Sequence, residues 1–587
     1  MNARINACIA CIMIILVCSC NVQQSKFSKT STYTKPGNDV LTRQYLTPVK
    51  ILWKSDNTNK LVINAEKLLE AGNGQADLVA SNLCLIKGDD KLNSAILLDF
   101  GREIQGGIEI VTGMFAEQLP IKVKVTLGES VSEAMSSTKG STATNDHAMR
   151  DFELSLPWLG KIEVGNSGFR FAKIELLDSK RELKLKEVRA VSVFRDIPYL
   201  GSFKSNDERL NQIWQTGAYT VQQNMQDFLW DGIKRDRLVW VGDMHPEVMT
   251  ILSVFGYNEV VPKSLDLIRD ITKLPEWMNG ISSYSMWWIL INYQWYMNNG
   301  DLEYLKKNQE YAYGLLDLLE KKIDPDGREI LNGERFLDWP TSPNKEAIHA
   351  GLQSLMIMTF DAGVKIANVL DNKGKAAQYN KTIQLLKKHI PDPNGNKAGA
   401  ALMALSGLAD AKKINETLLA VNSTEGISSF YGYYVLQARA KAGDYQGALD
   451  VIRNYWGGML DLGATTFWED FDMKWLENAG RIDQITPEGK VDVHATYGGY
   501  CYLGLRHSLC HGWASGPTSW LSQHILGITV LEPGCKKIKI EPHLGDLKWV
   551  EGTYPTPFGI ISVRHEKRAN GSIKSTIKAP KGIKIIR

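Results

Sequence analysis

The residue pattern changes twice along the chain, and these two changes constrain the fold more than any other feature. Between residues 40 and 200, short runs such as IKVKVTL at 121–127 alternate apolar with polar residues, which is typical of strands. From residue 206 to about residue 527, apolar residues recur every three or four positions, which predicts helices. Strand patterns return from about residue 531. We therefore predict a multidomain chain with a helical centre and two flanking β-sandwich domains.

The central region predicts a series of antiparallel helices joined by short turns. The clearest helices cover residues 283–298, 301–322, 347–370, 373–388, 431–442 and 445–455, with links such as NNGD and DPDG. Such a series forms either a helical solenoid or a closed α/α barrel. No repeat of fixed period is visible, which disfavours the solenoid. Thirteen of the sixteen tryptophans lie between residues 214 and 520. The mouth of a sugar-binding barrel uses indoles in this way, so we predict the barrel.

The pattern changes also set the predicted domain limits. The segments are a targeting signal at 1–20, a polar tether at 21–39, an N-terminal β-sandwich at 40–200, the helical barrel at 201–530 and a C-terminal β-sandwich at 531–587. The last segment has about 55 residues, which is too few for a stable core of its own. We therefore expect it to dock on the helical domain.

The first twenty residues have the pattern of a targeting signal. Arg4 supplies a positive charge, and the apolar run at 5–17 is too short to span a bilayer permanently. The run ends in LVCSC, so the segment is similar to a bacterial lipoprotein signal in which Cys20 receives the lipid. An ordinary secretory signal is the alternative. We expect a lipid anchor in a bacterial membrane, facing the periplasm.

Composition excludes several classes of protein. The chain of 587 residues is 44% hydrophobic and 23% charged, an ordinary globular composition. Its net charge of +3 and its lack of a long basic run make nucleic acid an unexpected partner. Outside the signal, Cys84, Cys501, Cys510 and Cys535 lack C-x-x-C spacing, so we expect no zinc site. A Cys501–Cys510 disulfide and unpaired buried thiols both stay open.

The run WDGIKRDRLVWVGD at 230–243 holds the densest group of chemically useful side chains. It contains three acids, three bases and two tryptophans within fourteen residues. Carboxylates can orient sugar hydroxyls, arginines can hold the carboxylates, and an aromatic face can cover the C–H side of a sugar ring. An exposed loop with ion pairs is the alternative. The two tryptophans and a second acidic cluster far downstream favour a site for a polar, uncharged ligand.

The second cluster is GATTFWEDFD at 463–472, in which Glu469, Asp470 and Asp472 flank Phe471. Paired carboxylates are what glycoside hydrolysis requires, because one protonates the leaving oxygen and the other activates water or attacks carbon. Asp236 and Glu469 are more than 230 residues apart in the sequence. Only the fold can bring them together.

Three further segments supply candidate binding residues. His511 precedes a Gly-Pro pair that can open a helix, although a lone histidine is more often structural than catalytic. Asp338 and Trp339 lie in a predicted loop between helices. Trp287 and Trp288 begin a predicted long helix, where core packing explains both equally well.

Taken together, these segments resemble the α-L-rhamnosidases of glycoside hydrolase family 78. DGIKRDRLVWVGD is similar to the family signature D-x-x-x-R-E-R-x-x-W-x-G-D, TTFWEDFD to T-T-x-W-E-x-x-D, and CHGWASGPTSWL to N-H-x-x-x-G-x-x-x-x-W-L. LLDFGREIQGG and GFRFAKI resemble the family's N-terminal β-domain, and EPHLGDLKWVEGTYPTPFG resembles its C-terminal domain. The resemblance covers nearly the whole chain after the signal. It implies a six-hairpin (α/α)6 barrel as the catalytic domain.

Carried over position by position, the resemblance implies roles for the residues of these motifs. Asp236 would be the general acid and Glu469 the base that activates water, giving an exo-acting, inverting hydrolase that releases terminal α-L-rhamnose. Arg235 and Arg237 would position the carboxylates. The expected substrate-binding residues are Asp231, Arg235, Trp240, Asp243, Trp287, Trp288, Asp338, Trp339, Trp468 and His511. Neither a metal nor another cofactor is expected, because sugar hydroxyls explain the acids better.

The chain departs from the family pattern at the general acid, where Asp236 stands in place of the usual glutamate. Aspartate is shorter by one methylene, roughly 1.5 Å, and starts from a lower pKa. Three functions therefore stay open. They are release of rhamnose from a plant or microbial glycan, action on another deoxysugar or a uronic-acid-linked glycan, and sugar binding by an inactive lipoprotein. The sequence names neither the aglycone nor the oligomeric state.

Overall fold

Nine strands form the first part of the molecule in the computed structural model, which describes residues 41–499 and 503–587. They are β1 (Leu41–Leu46), β2 (Lys50–Lys54), β3 (Val62–Ile63), β4 (Cys84–Lys87), β5 (Ala95–Thr112), β6 (Ile121–Gly128), β7 (Asp151–Leu156), β8 (Gly160–Leu176) and β9 (Glu182–Arg195). The hydrogen-bonded order is β3-β4-β9-β5-β8-β6-β7, with β1 on β9 and β2 on β5. The predicted strand region is therefore confirmed.

The long strand β5 changes partners along its length. It pairs with β2 near its start and with β9 near its end, and both pairs are antiparallel. Its register against β8 shifts between Asp99 and Ile104 and again between Gly106 and Ile108. Irregularities of this kind bend a strand and increase its twist. The apolar side chains of β4, β5, β6, β8 and β9 pack into one core, separate from the core of the helical region.

The helical region follows the sheet, as predicted. The helices are α1 (Val131–Met135), which lies within the strand region, α2 (Glu208–Asn224), α3 (Met244–Val254), α4 (Val260–Ile271), α5 (Ser282–Asn299), α6 (Leu302–Lys307), α7 (Gln309–Glu320), α8 (Lys345–Val369), α9 (Lys373–Leu386), α10 (Lys397–Ser406), α11 (Ala411–Ile414), α12 (Gly432–Ala442), α13 (Tyr445–Val451), α14 (Gly457–Asp461), α15 (Val493–Thr496) and α16 (Gly516–Trp520). Each of the six helices predicted most clearly is present, although 301–322 is divided into α6 and α7.

The short links between these helices follow from their capping residues. Asp301 caps α6 by accepting the Tyr304 N–H, and Asn344 caps α8 by accepting the Ala347 N–H. Gly300 and Gly443 end α5 and α12 with φ values of 71° and 86°, a left-handed conformation that suits glycine. A glycine stop followed directly by an aspartate start lets α5 turn into α6 without a loop.

Six of the helices contact one another in a closed series. α3 contacts α5, α5 contacts α8, α8 contacts α10, α10 contacts α12, α12 contacts α16, and α16 contacts α3 again. The remaining long helices precede these six alternately in the chain. Trp287, Trp456 and Trp520 are fully buried in this region. The links that follow α2, α4, α7 and α14 lie around a common space.

Two small sheets form the last part of the molecule. Their strands are β10 (Ser202–Ser205), β13 (Ile528–Glu532), β14 (Lys537–Ile540), β15 (Trp549–Thr556), β16 (Gly559–Lys567), β17 (Ile573–Lys578) and β18 (Lys584–Ile586), while β11 (Ala479–Gly480) and β12 (Val491–Asp492) pair elsewhere. The sheet orders are β10-β15-β16-β17 and β13-β14-β18. Because β10 precedes the helices, the chain starts and finishes the helical region at the C-terminal sheets. The predicted domain limits stay predictions.

Some predictions concern residues outside the described ranges. The targeting signal with Cys20 lies there, and so does Cys501. Cys84, Cys510 and Cys535 are buried free thiols. Within residues 41–499 and 503–587, every helix is too short or too polar to cross a bilayer.

Candidate active site

The run at 230–243 forms a tight loop between α2 and α3. The Asp231 N–H donates to the Leu238 carbonyl over 3.1 Å, and the Leu238 N–H donates to Asp231 Oδ1 over 2.9 Å. Between these bonds, Asp236 and Arg237 have φ values of 52° and 58°. This left-handed region costs a non-glycine residue roughly 1–2 kcal/mol. The loop therefore presents Asp236 from a strained backbone that its surroundings must maintain.

Backbone hydrogen bonds join the other two sequence clusters to this loop. The Glu469 N–H donates to the Ser508 carbonyl over 3.0 Å, and the Ser508 N–H donates to Glu469 Oε2 over 3.2 Å. The Gly512 N–H donates to the Asp231 carbonyl over 2.8 Å. These bonds fix Glu469 by its backbone and by its side chain, so the base is held on the same frame as the loop.

A cavity of about 120 Å³ lies where the three clusters meet. It is lined by Asp231, Asp236, Trp240, Asp243, Asn279, Ile281, Tyr284, Glu334, Phe336, Trp339, Glu469, His511 and Trp513. Acids and indoles thus surround a space of monosaccharide size. The cavity also has an apolar wall made by Ile281 and Phe336.

The cavity brings together seven of the residues that the sequence predicts for the site. These are Asp231, Asp236, Trp240, Asp243, Trp339, Glu469 and His511. Asp338 lies beside it, in a smaller recess that also contacts Trp339 and Glu469. Asp338 accepts hydrogen bonds from the Ser428 hydroxyl over 2.6 Å and the Thr341 N–H over 3.1 Å. It therefore supports the cavity wall from behind.

Three predicted binding tryptophans lie outside the cavity lining. Trp288 is fully buried and donates its indole N–H to the Leu265 carbonyl over 3.1 Å. Trp287 stacks on His245 at 4.7 Å, and Trp468 packs edge-on against Phe471 at 6.0 Å. Because α5 is buried along almost its whole length, its two tryptophans serve the core. The structure thus gives all three indoles a packing role.

Arg235 and Arg237 differ, although they are two residues apart. Arg235 Nη2 lies 3.3 Å from Asp236 Oδ1 and 3.3 Å from Glu469 Oε1. Arg237 donates instead to the Asn166 carbonyl over 2.9 Å and lies 4.5 Å from the centre of the Trp230 ring. Of the two arginines predicted to position carboxylates, Arg235 contacts both carboxyl groups, whereas Arg237 ties the loop to β8.

Asp236 and Glu469 share the Arg235 guanidinium but have different surroundings. Asp236 Oδ2 accepts the Trp240 indole N–H over 3.1 Å, and the Asp236 side chain is 13% exposed. The Glu469 side chain is only 2% exposed. Burial raises the pKa of Glu469, although Arg235 and His511 oppose the shift. Glu469 is thus better shielded from water than Asp236.

The other acids of the cavity are deeply buried. Burial and the charge of Asp236 raise the pKa of Asp231, while burial and the charge of Asp231 raise that of Asp243. Asp243 accepts the Tyr284 hydroxyl over 2.6 Å. Burial lowers the pKa of His511 to about 4, so this ring is neutral at neutral pH. The cavity therefore holds more acids than cations.

Comparison with known proteins identifies the two parts of the chain that follow the N-terminal sheet. Residues 198–407 match the family model of the bacterial α-L-rhamnosidase six-hairpin glycosidase domain, and residues 527–585 match that of the bacterial α-L-rhamnosidase C-terminal domain. These two segments, which together make up less than half of the chain, are similar to the two domains of the bacterial α-L-rhamnosidases. The predicted relationship to glycoside hydrolase family 78 is therefore confirmed.

Individual α-L-rhamnosidases are distant relatives. One from Alteromonas sp. (strain LOR) is 24% identical over 463 residues, which cover 69% of this chain and 46% of that protein. One from Formosa agariphila is 22% identical over 467 residues, covering 72% of this chain and 47% of that protein. The chain thus spans about half the length of the curated relatives it matches.

Solved rhamnosidases share the fold. The family 78 rhamnosidase of Bacillus sp. GL1 superposes with a TM-score of 0.71 at 21% identity, covering 86% of this chain and 54% of that one. The Klebsiella oxytoca rhamnosidase with rhamnose bound gives a TM-score of 0.65 at 19% identity, covering 83% of this chain and 96% of that one. At these identities, the likeness establishes the architecture.

The cavity rests on a second group of buried charges, which we name the junction cluster (Glu129, Glu133, Arg150 and Lys234). Lys234 Nζ lies 2.9 Å from Glu129 Oε2 and 3.3 Å from Glu133 Oε1. Glu129 Oε2 also accepts the Leu509 N–H over 2.7 Å. The turn after β6 therefore supports both catalytic segments, one through Lys234 and the other through Leu509.

The junction cluster has the spacing of a metal site but already contains its cation. One ligand atom each from Glu129, Glu133 and His494 lie within 4.8 Å of one another. Lys234 neutralises these acids, and both ring nitrogens of His494 have partners, in Ser130 Oγ and the His507 carbonyl. An ammonium thus takes the place that a metal would fill.

Sequence reasoning missed several residues of the site. Tyr284 and Glu334 line the cavity, and Glu129 and Lys234 hold its frame. Lys234 is within the first sequence cluster but is hidden there among other charges. Glu129 lies in a polar stretch after β6 whose pattern does not indicate a role. Only the fold shows that it faces the loop.

Proposed function

We propose that the protein is an exo-acting, inverting glycoside hydrolase that releases terminal α-L-rhamnose from a plant or microbial glycan or glycoside. One observation carries the proposal: Asp236 and Glu469 lie 3.3 Å from the same nitrogen of Arg235 in the wall of a small cavity of acids and indoles. Two carboxyl groups held on either side of one sugar-sized space are the requirement of glycoside hydrolysis.

In this mechanism, Asp236 donates its proton to the leaving oxygen while the bond from that oxygen to the anomeric carbon breaks. Glu469 takes a proton from the water that attacks the anomeric carbon. The nearest oxygens of the two groups can be no further apart than twice their 3.3 Å distance to Arg235 Nη2. This upper limit reaches only the lower edge of the range of about 6.5–9.5 Å for inverting enzymes, so the proposal of inversion rests on the resemblance to family 78 and not on this distance.

The cavity also supports the choice of sugar. Asp231 and Asp243 can accept hydrogen bonds from hydroxyl groups, while Trp240 and Trp339 offer faces for C–H groups. The apolar wall of Ile281 and Phe336 suits the methyl group of a 6-deoxy sugar. The excess of buried acids disfavours a uronic acid, because its carboxylate would meet like charges.

The fold supports the proposed architecture. We propose that α3, α5, α8, α10, α12 and α16 are the inner helices of an (α/α)6 barrel, because their contacts form a closed series. The N-terminal sheet and the paired C-terminal sheets would be the two β-sandwich domains that flank it. The cavity then lies at one mouth of the barrel, where loops from successive hairpins meet.

The test is hydrolysis of aryl α-L-rhamnosides by the purified protein and by Asp236→Asn and Asp227→Asn. We expect Asp236→Asn to lose several orders of magnitude in kcat while the protein stays folded. Asp227 is exposed and lies in the same segment outside the cavity, so Asp227→Asn should keep the parent rate. Proton NMR of the first product formed should show β-L-rhamnose. A parent rate for Asp236→Asn would contradict the assignment of the acid.

Related assays distinguish two alternative functions. If the protein acts on another deoxysugar, it should release that sugar, and not rhamnose, from a panel of aryl glycosides. An inactive sugar-binding lipoprotein would bind rhamnose in a calorimeter without releasing product. Its support is the aspartate at position 236, where the family usually has glutamate.

We propose that the protein is a lipoprotein anchored through Cys20 and facing the periplasm. The support is the apolar run at 5–17 followed by LVCSC. Metabolic labelling with a fatty acid that carries an azide should tag the parent protein and not Cys20→Ala. Labelling of Cys20→Ala at the parent level would contradict the anchor.

A further inference from the structure

A loop of the N-terminal sheet reaches the catalytic loop and brings a histidine to it. His147 lies between α1 and β7, and its Nε2 is 3.4 Å from Asp236 Oδ1. The same nitrogen is 3.6 Å from Asp146 Oδ2. Asp146 is in turn held by Arg506 Nη2 at 2.8 Å. The position of His147 is therefore built by two parts of the chain that are far apart in sequence.

The loop that carries His147 is anchored on both sides. Asn145 donates its amide N–H to the Asp151 carbonyl over 2.8 Å, and the Arg150 N–H donates to Asn145 Oδ1 over 3.0 Å. Arg150 Nη2 also donates to the Ser136 carbonyl over 3.1 Å. These bonds fix the backbone on either side of His147, whose side chain remains 28% exposed.

The surroundings of Asp236 pose a chemical problem that His147 can solve. Trp240 donates to Asp236 Oδ2, and Arg235 lies against Oδ1. Neither the indole nor the guanidinium can give up a proton near neutral pH, whereas a general acid must be reprotonated before each turnover. Glutamate at this position would reach further, but aspartate is shorter by roughly 1.5 Å. If His147 supplies a proton to Asp236, then Asp236 can act as the acid without being strongly buried.

We propose that His147 is a positioning residue that supplies the proton of Asp236, so that the two residues act as one proton donor. The proposal rests on the proposed function. The imidazolium of His147 and the carboxylate of Asp236 together hold one proton, which either Nε2 or Oδ1 can carry. The other titratable or charged groups that face this pair are Asp146 with Arg506, Asp236's neighbour Arg235, and Asp231 and His511 in the cavity. Glu133 and Lys234 line the adjoining recess.

The proton balance of the step is complete. As the glycosidic C–O bond breaks, its electron pair goes to the leaving oxygen, which takes the proton from Asp236. Asp236 recovers a proton from His147 Nε2, and the exposed ring of His147 recovers one from solvent. The proton that Glu469 takes from the attacking water returns to solvent after product release. No oxidant, metal or other reactant is needed.

The test compares two substrates that need acid catalysis to different extents. The dinitrophenolate group of a 2,4-dinitrophenyl rhamnoside leaves without protonation. The alkoxide group of an alkyl rhamnoside must be protonated as it leaves. We expect His147→Gln to lower kcat/KM on the alkyl rhamnoside by about 10²-fold, at the lower end of the range for removal of a proton-transfer group. On the dinitrophenyl substrate we expect a loss below about threefold. Added imidazole should restore the activity of His147→Ala on the alkyl substrate.

The matched control is His543→Gln, because His543 is 29% exposed and stacks on Tyr445 far from the cavity. It should behave as the parent on both substrates. Equal losses of His147→Gln on both substrates, or no loss on either, would overturn the proposal. If the parent protein releases rhamnose from neither substrate, the proposed function fails instead. The unfolding midpoints of all variants distinguish a folding defect from the loss of the proton-donating side chain.

Discussion

Two groups of buried charges lie next to each other in this molecule and are built in opposite ways. In the junction cluster, Glu129 and Glu133 meet the cations of Lys234 and Arg150. We name the second group the cavity cluster (Asp231, Asp243, Glu247 and Glu469). Its nearest cation is Arg235, and neither oxygen of Glu247 has a hydrogen-bond partner among the described residues.

The junction cluster contributes to stability, and the cavity cluster contributes to the chemistry of the site. Paired charges that lose one partner destabilise a protein strongly, so the junction cluster holds the domains in one arrangement. Acids with too few cations nearby remain available for proton exchange. Burial raises the pKa of Glu129 to about 7 even beside Lys234, so the two clusters differ in their number of cations and not in the direction of the pKa shift. The two groups meet within one loop, since Lys234 belongs to the first while Arg235 holds the base of the second. The balanced cluster thus gives the unbalanced one its fixed frame.

The largest effect should follow from a change in the cavity cluster. Glu469→Gln removes the proposed base but keeps its size, so kcat should fall by about 10²- to 10⁴-fold. The unfolding free energy should not fall, because a buried carboxylate is replaced by a neutral amide. Rhamnoside hydrolysis and urea unfolding measure the two quantities. Glu477→Gln is the control at an exposed site. A large loss of stability in Glu469→Gln would contradict the comparison.

In the junction cluster, we expect a substitution to lower the stability of the fold. Lys234→Met leaves Glu129 and Glu133 buried without their ammonium partner, which should lower the unfolding free energy by about 3–5 kcal/mol. Lys307→Met removes a similar contact to Asp266 from a lysine that is 55% exposed. Lys307→Met should lower the unfolding free energy by about 0–1 kcal/mol. Equal costs for the two lysines, measured by urea unfolding, would show that the junction cluster is not a structural node.

A smaller effect is expected where the loop meets the cavity. Trp240→Phe removes the indole N–H that lies 3.1 Å from Asp236 Oδ2. A hydrogen bond to a charged group contributes about 1.5–3 kcal/mol, so kcat/KM should fall by roughly tenfold or more as the carboxylate forms without this donor. Trp549→Phe, in β15, is the control. If Trp240→Phe keeps the parent kcat/KM, the indole serves as a surface for the sugar and not as a donor.

Much of this organisation could be predicted from the sequence, and the failures have a common cause. The helices follow from periodic apolar residues and from caps such as Gly300 and Asp301, which act locally. The meeting of Asp236 with Glu469 follows from two dense motifs that resemble one family. His147 and Glu129 lie alone in polar stretches, and their roles arise only from contacts with residues far along the chain. Trp287 and Trp288 failed for the opposite reason, because an indole in a motif-rich region also suits a core.

The smallest expected effect concerns Glu247, a buried acid one helical turn after Asp243. Burial and the charge of Asp243 raise its pKa well above the ordinary value of 4.5. A carboxyl whose pKa is higher in the folded state stabilises the fold fully below its unfolded pKa. This contribution is lost as the pH rises through the folded value. Glu247→Gln cannot ionise, so its stability relative to the parent should increase with pH.

Urea unfolding at pH 5 and pH 8 tests this expectation. The gain of Glu247→Gln over the parent should be near zero at pH 5 and about 1 kcal/mol at pH 8, since the amide removes a buried charge but keeps polar atoms to satisfy. Glu488→Gln, at an exposed position, should show no change between the two conditions. A gain that is the same at both pH values would mean that Glu247 is not part of the cavity cluster's excess of acids. In that case, the contrast between the clusters would rest on Asp231, Asp243 and Glu469 alone.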